Sequence, residues 1–166
     1  FRLGFESPWE YEEVAEFGTI SSMETDCPYC GAAGLDEAAC EARYLDGQAR
    51  EYSGGAYFMV HHLSVPSFML QHNRYSRDGW LLARELLRRF VDEGLTPEQA
   101  RRESGGDAAF RASSLTKGDK LAGVDRIAWS MTIADVRLEP AEQYCEDVQR
   151  WAVAILADSA GLVEAA

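Results

Sequence analysis

The chain has 166 residues, 46% of them hydrophobic and 11% aromatic, which suits one globular domain rather than a disordered chain. A formal net charge of -12 disfavours nucleic acid as a partner, because phosphate contacts need clustered Lys and Arg. No apolar run approaches the roughly 20 residues of a membrane span, so no membrane partner is expected. The chain opens on Phe1 rather than Met, as a trimmed chain would, and no stretch reads as a signal peptide. Four cysteines, two of them in a CxxCG run, fit a metal in a reducing cytoplasm better than a disulfide scaffold.

Residues 1–26 are acidic and aromatic, with Trp9, Val14 and Phe17 on one helical face. An N-terminal helix lying over the core is the plainer expectation, and a partner-binding arm the alternative. Residues 27–166 are expected to form the zinc-bearing helical domain. Gly31-Ala32-Ala33-Gly34 reads as a turn, followed by a helix from about Asp36 to Tyr52 with an acidic first turn. Cys40 and Tyr44 share a face of that helix, and Ser53-Gly54-Gly55 ends it. Residues 56–63 are apolar and lead into His61 and His62. Ser64 as N-cap and Pro66 in the first turn predict a helix from about Val65 to Tyr75. Val65, Phe68, Met69 and His72 then fall on one buried face.

The spacing of Leu82, Leu86 and Phe90, with Trp80, Leu87 and Val91, predicts a helix over 78–93. Arg84, Arg88 and Arg89 are expected to be exposed there. An Arg-rich face over 84–102 reads more simply as solvated than as an interface. Thr96-Pro97-Glu98-Gln99 is a capping-box pattern opening a short helix to about Glu103. Residues 104–126 read as a long loop, and 127–136 as an extended stretch. Tyr144, Val148, Trp151, Ile155 and Leu156 form the apolar stripe of a last helix from Pro140 to about Ala160. The sum is a mainly α, single-domain bundle of four to five helices with a zinc-knuckle edge and little strand.

The chemistry concentrates in Asp26-Cys27-Pro28-Tyr29-Cys30-Gly31. Two thiolates on such a tight turn face one tetrahedral metal and supply half a zinc site. Cys40, His61, His62 and His72 compete for the other half. Each has a plainer explanation, since a buried Cys is a small hydrophobe and a lone His on an apolar face is commonly a core residue. The motifs of zinc proteases (HExxH) and zinc deaminases (HxE…PCxxC) are absent. Cys-Pro-Tyr-Cys is also a dithiol redox sequence, but that chemistry needs a βαβ frame and a helix starting at the first Cys.

Cys27, Cys30, Gly31, Cys40, His61, Leu63, Val65, Gln71, His72, Thr132, Ile133, Asp135, Val136 and Trp151 follow an ordered pattern. Over residues 27–156 this resembles a bacterial family of small proteins of unknown function whose members read CPxCG…C…HxLTVDxYxxQHP…TIxDV…W. The resemblance favours His61 over His62 as a ligand. This chain departs from the family at Pro66, where an Asp is usual, at Asn73, where a Pro is usual, and at Tyr144, where a His is common. The family brings no activity with it.

The expected ligand set is therefore Cys27, Cys30, His61 and His72 on Zn²⁺, with Cys40 and His62 as alternates. The expected role is a structural-zinc binding or accessory module in the cytoplasm with a protein partner, rather than an enzyme. A small zinc hydrolase or thiol transferase is the rival, and a dithiol redox protein the third reading.

Overall fold

A computed structural model describes residues 25–103 and 115–164. Residues 1–24 of the expected N-terminal arm and 104–114, the first half of the expected long loop, lie outside the described residues. Six α-helices lie wholly within the described residues, in chain order α1 Glu37–Tyr52, α2 His61–Gln71, α3 Arg77–Asp92, α4 Pro97–Glu103, α5 Ala141–Asp158 and α6 Ala160–Glu164. Short 3-10 turns lie at Gly55–Val60, Val124–Arg126 and Ile133–Asp135, and the described residues contain no strand. The architecture is mainly helical, as expected.

Local rules account for the helix starts. Asp36 accepts from the Ala39 amide at 2.8 Å and opens α1, and Ser76 accepts from Gly79 at 3.1 Å and opens α3. The capping box at α4 is formed in both directions, Gln99 Oε1 accepting from the Thr96 amide at 2.8 Å and Thr96 Oγ1 from the Gln99 amide at 3.2 Å. α2 is different. It starts at His61, directly after the 3-10 turn, so Ser64 does not cap it and Pro66 lies inside it. Pro66 removes one helical hydrogen bond there, a loss the helix tolerates because its flanks are buried against α3 and α5. Residues 127–132 form no strand, and the expected extended stretch ends in the 3-10 turn at Ile133–Asp135.

α2 is the central element, packed against α3 and α5. Phe68, Leu70, Trp80, Leu87, Ile133, Tyr144, Trp151 and Ile155 are fully buried around it. Leu82, expected in the core, is 42% exposed, so the buried stripe of α3 is the one through Trp80, Ala83 and Leu87. Arg84 is not free in solvent either. Its Nε donates to Ser159 Oγ at 2.7 Å and its terminal nitrogen to Leu156 O at 2.9 Å, covering the C-terminal end of α5.

Several motif residues turn out to be joints. Thr132 and Asp135 make their own capping box, and Arg43 of α1 donates to Ile133 O and Val136 O at 2.9 and 2.6 Å. Gln71 donates to Met131 O at 2.7 Å and accepts from Trp151 Nε1 at 3.1 Å.

The start of α3 is clamped by a distant segment. Ser76 N donates to Leu115 O at 2.6 Å, Arg77 N to Asp119 O at 2.7 Å, and Lys120 Nζ to Arg74 O at 2.9 Å. A Cβ on Gly79 would lie 2.3 Å from Leu115 O, a backbone atom with no rotamer by which to yield. Gly79→Ala is therefore expected to destabilise the protein by about 1–3 kcal/mol in urea unfolding.

Asp147 of α5 is fully buried and accepts from the Arg137 amide at 3.0 Å and from its guanidinium at 2.7 and 2.9 Å, with Arg150 as a further donor. The Arg137 hydrogen bond, opposed by desolvation, holds this carboxyl well below the usual carboxylate range. A depressed folded value gives stability that is present above the unfolded value near pH 4 and lost as the pH falls through the folded one. Asp147→Asn is expected to cost about 1–2 kcal/mol at neutral pH, discounted because both arginines are largely exposed. The gap between variant and wild type should close progressively below about pH 4 in denaturation curves.

Candidate metal centre

The knuckle folds as a tight turn. Gly31 N donates to Cys27 O at 2.8 Å, Cys27 N to Ala32 O at 3.1 Å, and Gly34 N to the Asp26 carboxylate at 3.0 Å. Gly31 sits at φ +70°, which a side chain would strain. The turn brings both sulfurs inward, so that Cys27 and Cys30 are each 3% exposed.

The other corner comes from two helices. Cys40 is in the first turns of α1 and fully buried, and His72 caps the C-terminus of α2 with 5% exposed. The ligating atoms of Cys27, Cys30, Cys40 and His72 all lie within 4.8 Å of one another. Cys30 Sγ is 3.7 Å from Cys40 Sγ, and His72 Nε2 is 3.6 Å from Cys27 Sγ and 3.5 Å from Cys40 Sγ. A regular tetrahedron with Zn–S near 2.3 Å and Zn–N near 2.0–2.1 Å has edges of about 3.8 Å between sulfurs and about 3.6 Å from sulfur to nitrogen. These three distances match the edges of such a figure, and the remaining donor pairs lie within 4.8 Å. They are too far apart for a disulfide, and all four cysteines are free.

The imidazole is set for coordination. His72 Nδ1 donates to Phe68 O at 2.9 Å, which leaves Nε2 bare and aimed at the sulfurs. The Phe68 ring stacks on it at 3.9 Å, and the Tyr29 ring leans over it at 5.8 Å. The sulfurs cannot all ionise unaided. The hydrogen bond from Cys40 is the largest influence on Cys30, and against the cost of burial it brings that thiol down to about 4. Cys40 moves the other way, pushed up by its bond to Cys30, by burial and by the charges of Cys30 and Cys27. A bound cation would relieve this conflict, since each added positive charge favours all three thiolates. These four residues could hold a metal ion.

His61, expected among the ligands, is not there. It is the first residue of α2 and His72 follows the last, so a continuous helix holds them roughly 16 Å apart along its axis. Only a break in the helix would return one to the other. His61 Nδ1 instead meets Glu51 Oε2 at 2.7 Å. His62 packs edge-on against Phe90 at 4.9 Å, half-buried, with desolvation lowering its pKa. Cys40, weighed as an alternate, stands in the fourth place. The signal for it was its position on the inward face of α1, in register with Tyr44, Gly47 and Glu51.

A cleft of about 570 Å³ lies beside the centre, lined by Pro28, Tyr29, His72, Asn73, Arg74 and Lys120 among others. Among the described residues no helix is long and apolar enough to cross a membrane. No curated protein and no solved structure matches the chain. A family model does match, over residues 25–160, and this span holds the knuckle, α1 to α5 and all four buried donors. The chain thus belongs to DUF5946, a family of unknown function.

Proposed function

We propose that the centre binds zinc, that the zinc is structural, and that the protein serves in the cytoplasm as a binding or accessory module for a protein partner. The observation that carries this reading is the burial of all four donors at near-tetrahedral spacing, which leaves no corner for water or substrate. Three sulfurs and an imidazole favour zinc over calcium, magnesium or manganese, which prefer oxygen. With a charge of -12, the surface suits a basic partner segment.

Elemental analysis of purified protein should find one zinc per chain. Reconstitution with Co²⁺ should give the visible spectrum of a tetrahedral site with three thiolates, unchanged by an excess of azide. Protein without zinc, or a cobalt spectrum that azide alters, would sink the structural reading. The second outcome would favour a small zinc hydrolase or thiol transferase, a rival supported by the cleft against His72. The dithiol redox reading has no such support, since the described residues contain no strand and Cys27 and Cys30 lie in a turn with no helix starting at Cys27.

A further inference from the structure

Glu51 is fully buried, and among the described residues no lysine or arginine pairs with it. Tyr144 Oη donates to Oε1 at 2.7 Å, while Gln48 Nε2 and His61 Nδ1 reach Oε2 at 2.8 and 2.7 Å. Gly47 makes this possible, because a Cβ there would lie 3.0 Å from Tyr144 Oη. α1, α2 and α5 thus build one enclosed polar cluster around a single carboxylate.

With Nδ1 committed to Glu51, His61 turns Nε2 outward as an acceptor. The Phe58 ring stacks on the imidazole at 5.4 Å and the Tyr52 ring meets it edge-on at 5.0 Å. The Tyr52 hydroxyl lies 3.3 Å from Nε2, and Tyr52 itself is 70% exposed. A buried carboxylate, an imidazole locked in one tautomer and a surface hydroxyl at its free nitrogen form the sequence of groups that activates a nucleophile.

We propose that Tyr52 is a modification site, a nucleophile that accepts an acyl group from an uncharged activated ester or thioester. Tyr52 Oη attacks the carbonyl carbon and forms the new C–O bond as His61 Nε2 takes the phenol proton. The bond to the leaving group then breaks, and the departing oxygen or sulfur receives that proton from His61. Glu51 is a positioning residue, holding the imidazole for both transfers. The surround favours an uncharged donor over a phosphoryl one. Phe58 and Met59 are exposed and apolar, and the neighbouring Arg50 is already paired with Asp46 and Glu139.

The test is acetylation of the full chain by p-nitrophenyl acetate, with each tyrosine followed by peptide mass spectrometry. Tyr29, 44% exposed and with no hydrogen bond at its hydroxyl from the described residues, is the internal reference. Tyr52 should acetylate roughly a hundredfold faster than Tyr29. His61→Gln should bring it down to the Tyr29 rate without altering Tyr29, which also reports that the fold survives. Glu51→Gln should slow Tyr52 in the same way, and free imidazole should restore the rate in His61→Ala. Equal rates at the two tyrosines, or a Tyr52 rate untouched by His61→Gln, would overturn the proposal. Continuous p-nitrophenolate release with no adduct on Tyr52 would overturn it too, since His61 would then be acting on the ester directly.

Discussion

With zinc in the centre as proposed, Cys40→Ala is expected to lower its affinity by more than roughly a hundredfold, while His61→Ala leaves the metal content unchanged. Alanine keeps a small apolar group in the fully buried position, so the loss is that of a ligand and only slightly one of packing. Where free zinc stands a thousandfold above its Kd, binding contributes about 4 kcal/mol to stability. Its loss should lower Tm by about 8–16 °C for a chain of this size. Chelation of the wild-type protein should give that full shift, while Cys40→Ala, left with at most about a tenfold excess of zinc over its weakened Kd, should lose no more than about 1.4 kcal/mol on chelation. Limited proteolysis should then cut within 25–36, where, among the described residues, the turn's backbone hydrogen bonds run only within 26–35. Equal metal content in Cys40→Ala and wild type would refute the assignment of this residue.

Gln71→Leu should have the second-largest effect. The side chain is 1% exposed and holds two groups at once, the Trp151 indole N–H and the Met131 carbonyl. Leucine fills the volume and satisfies neither. A buried group left without its partner costs about 1–3 kcal/mol, so the pair costs about 3 kcal/mol after the apolar gain is set against it. Urea unfolding should show this as a lower midpoint with an unchanged slope. A change under about 0.5 kcal/mol would mean that water replaces the amide at both contacts. Zinc content should hold, because the His72 ring is fixed separately by Phe68 O. The Gln-His pair of the family pattern thus divides its work, one residue joining α2 to α5 and the other offering a ligand.

Apolar spacing and the capping box at Thr96 located most helices well, because both are local signals, and the caps at Asp36 and Ser76 stand beside the expected starts. The start of α2 was hidden for the opposite reason. Ser64 and Pro66 are good local start signals, but burial against α3 and α5 carries the helix four residues further back. The same shift decides the ligand set. A helix beginning at Val65 leaves a flexible approach by which His61 might return, whereas one beginning at His61 makes that return impossible. The knuckle and His72 were readable from spacing and face. Cys40 was readable only as one of several soft donors, since its distance from Cys30 depends on how α1 leaves the Gly31–Gly34 turn. Glu51 gave no sign of its burial, because its partners Tyr144 and His61 are distant in sequence and its acidity suited a solvent-facing helix position.

The four donors at the centre differ in how much of the fold each needs. Cys27 and Cys30 meet across one turn, and even an unfolded chain could pinch a metal between them. Cys40 arrives only when α1 has docked, and His72 only when the whole of α2 lies in place, 45 residues from Cys27. With a metal bound as proposed, affinity would rise in steps with assembly, and full occupancy would be a readout of completed tertiary structure. A nascent chain would hold its ion loosely and exchangeably, and a finished one tightly, so the rate at which a chelator extracts the ion measures the opening of the α1–α2 junction.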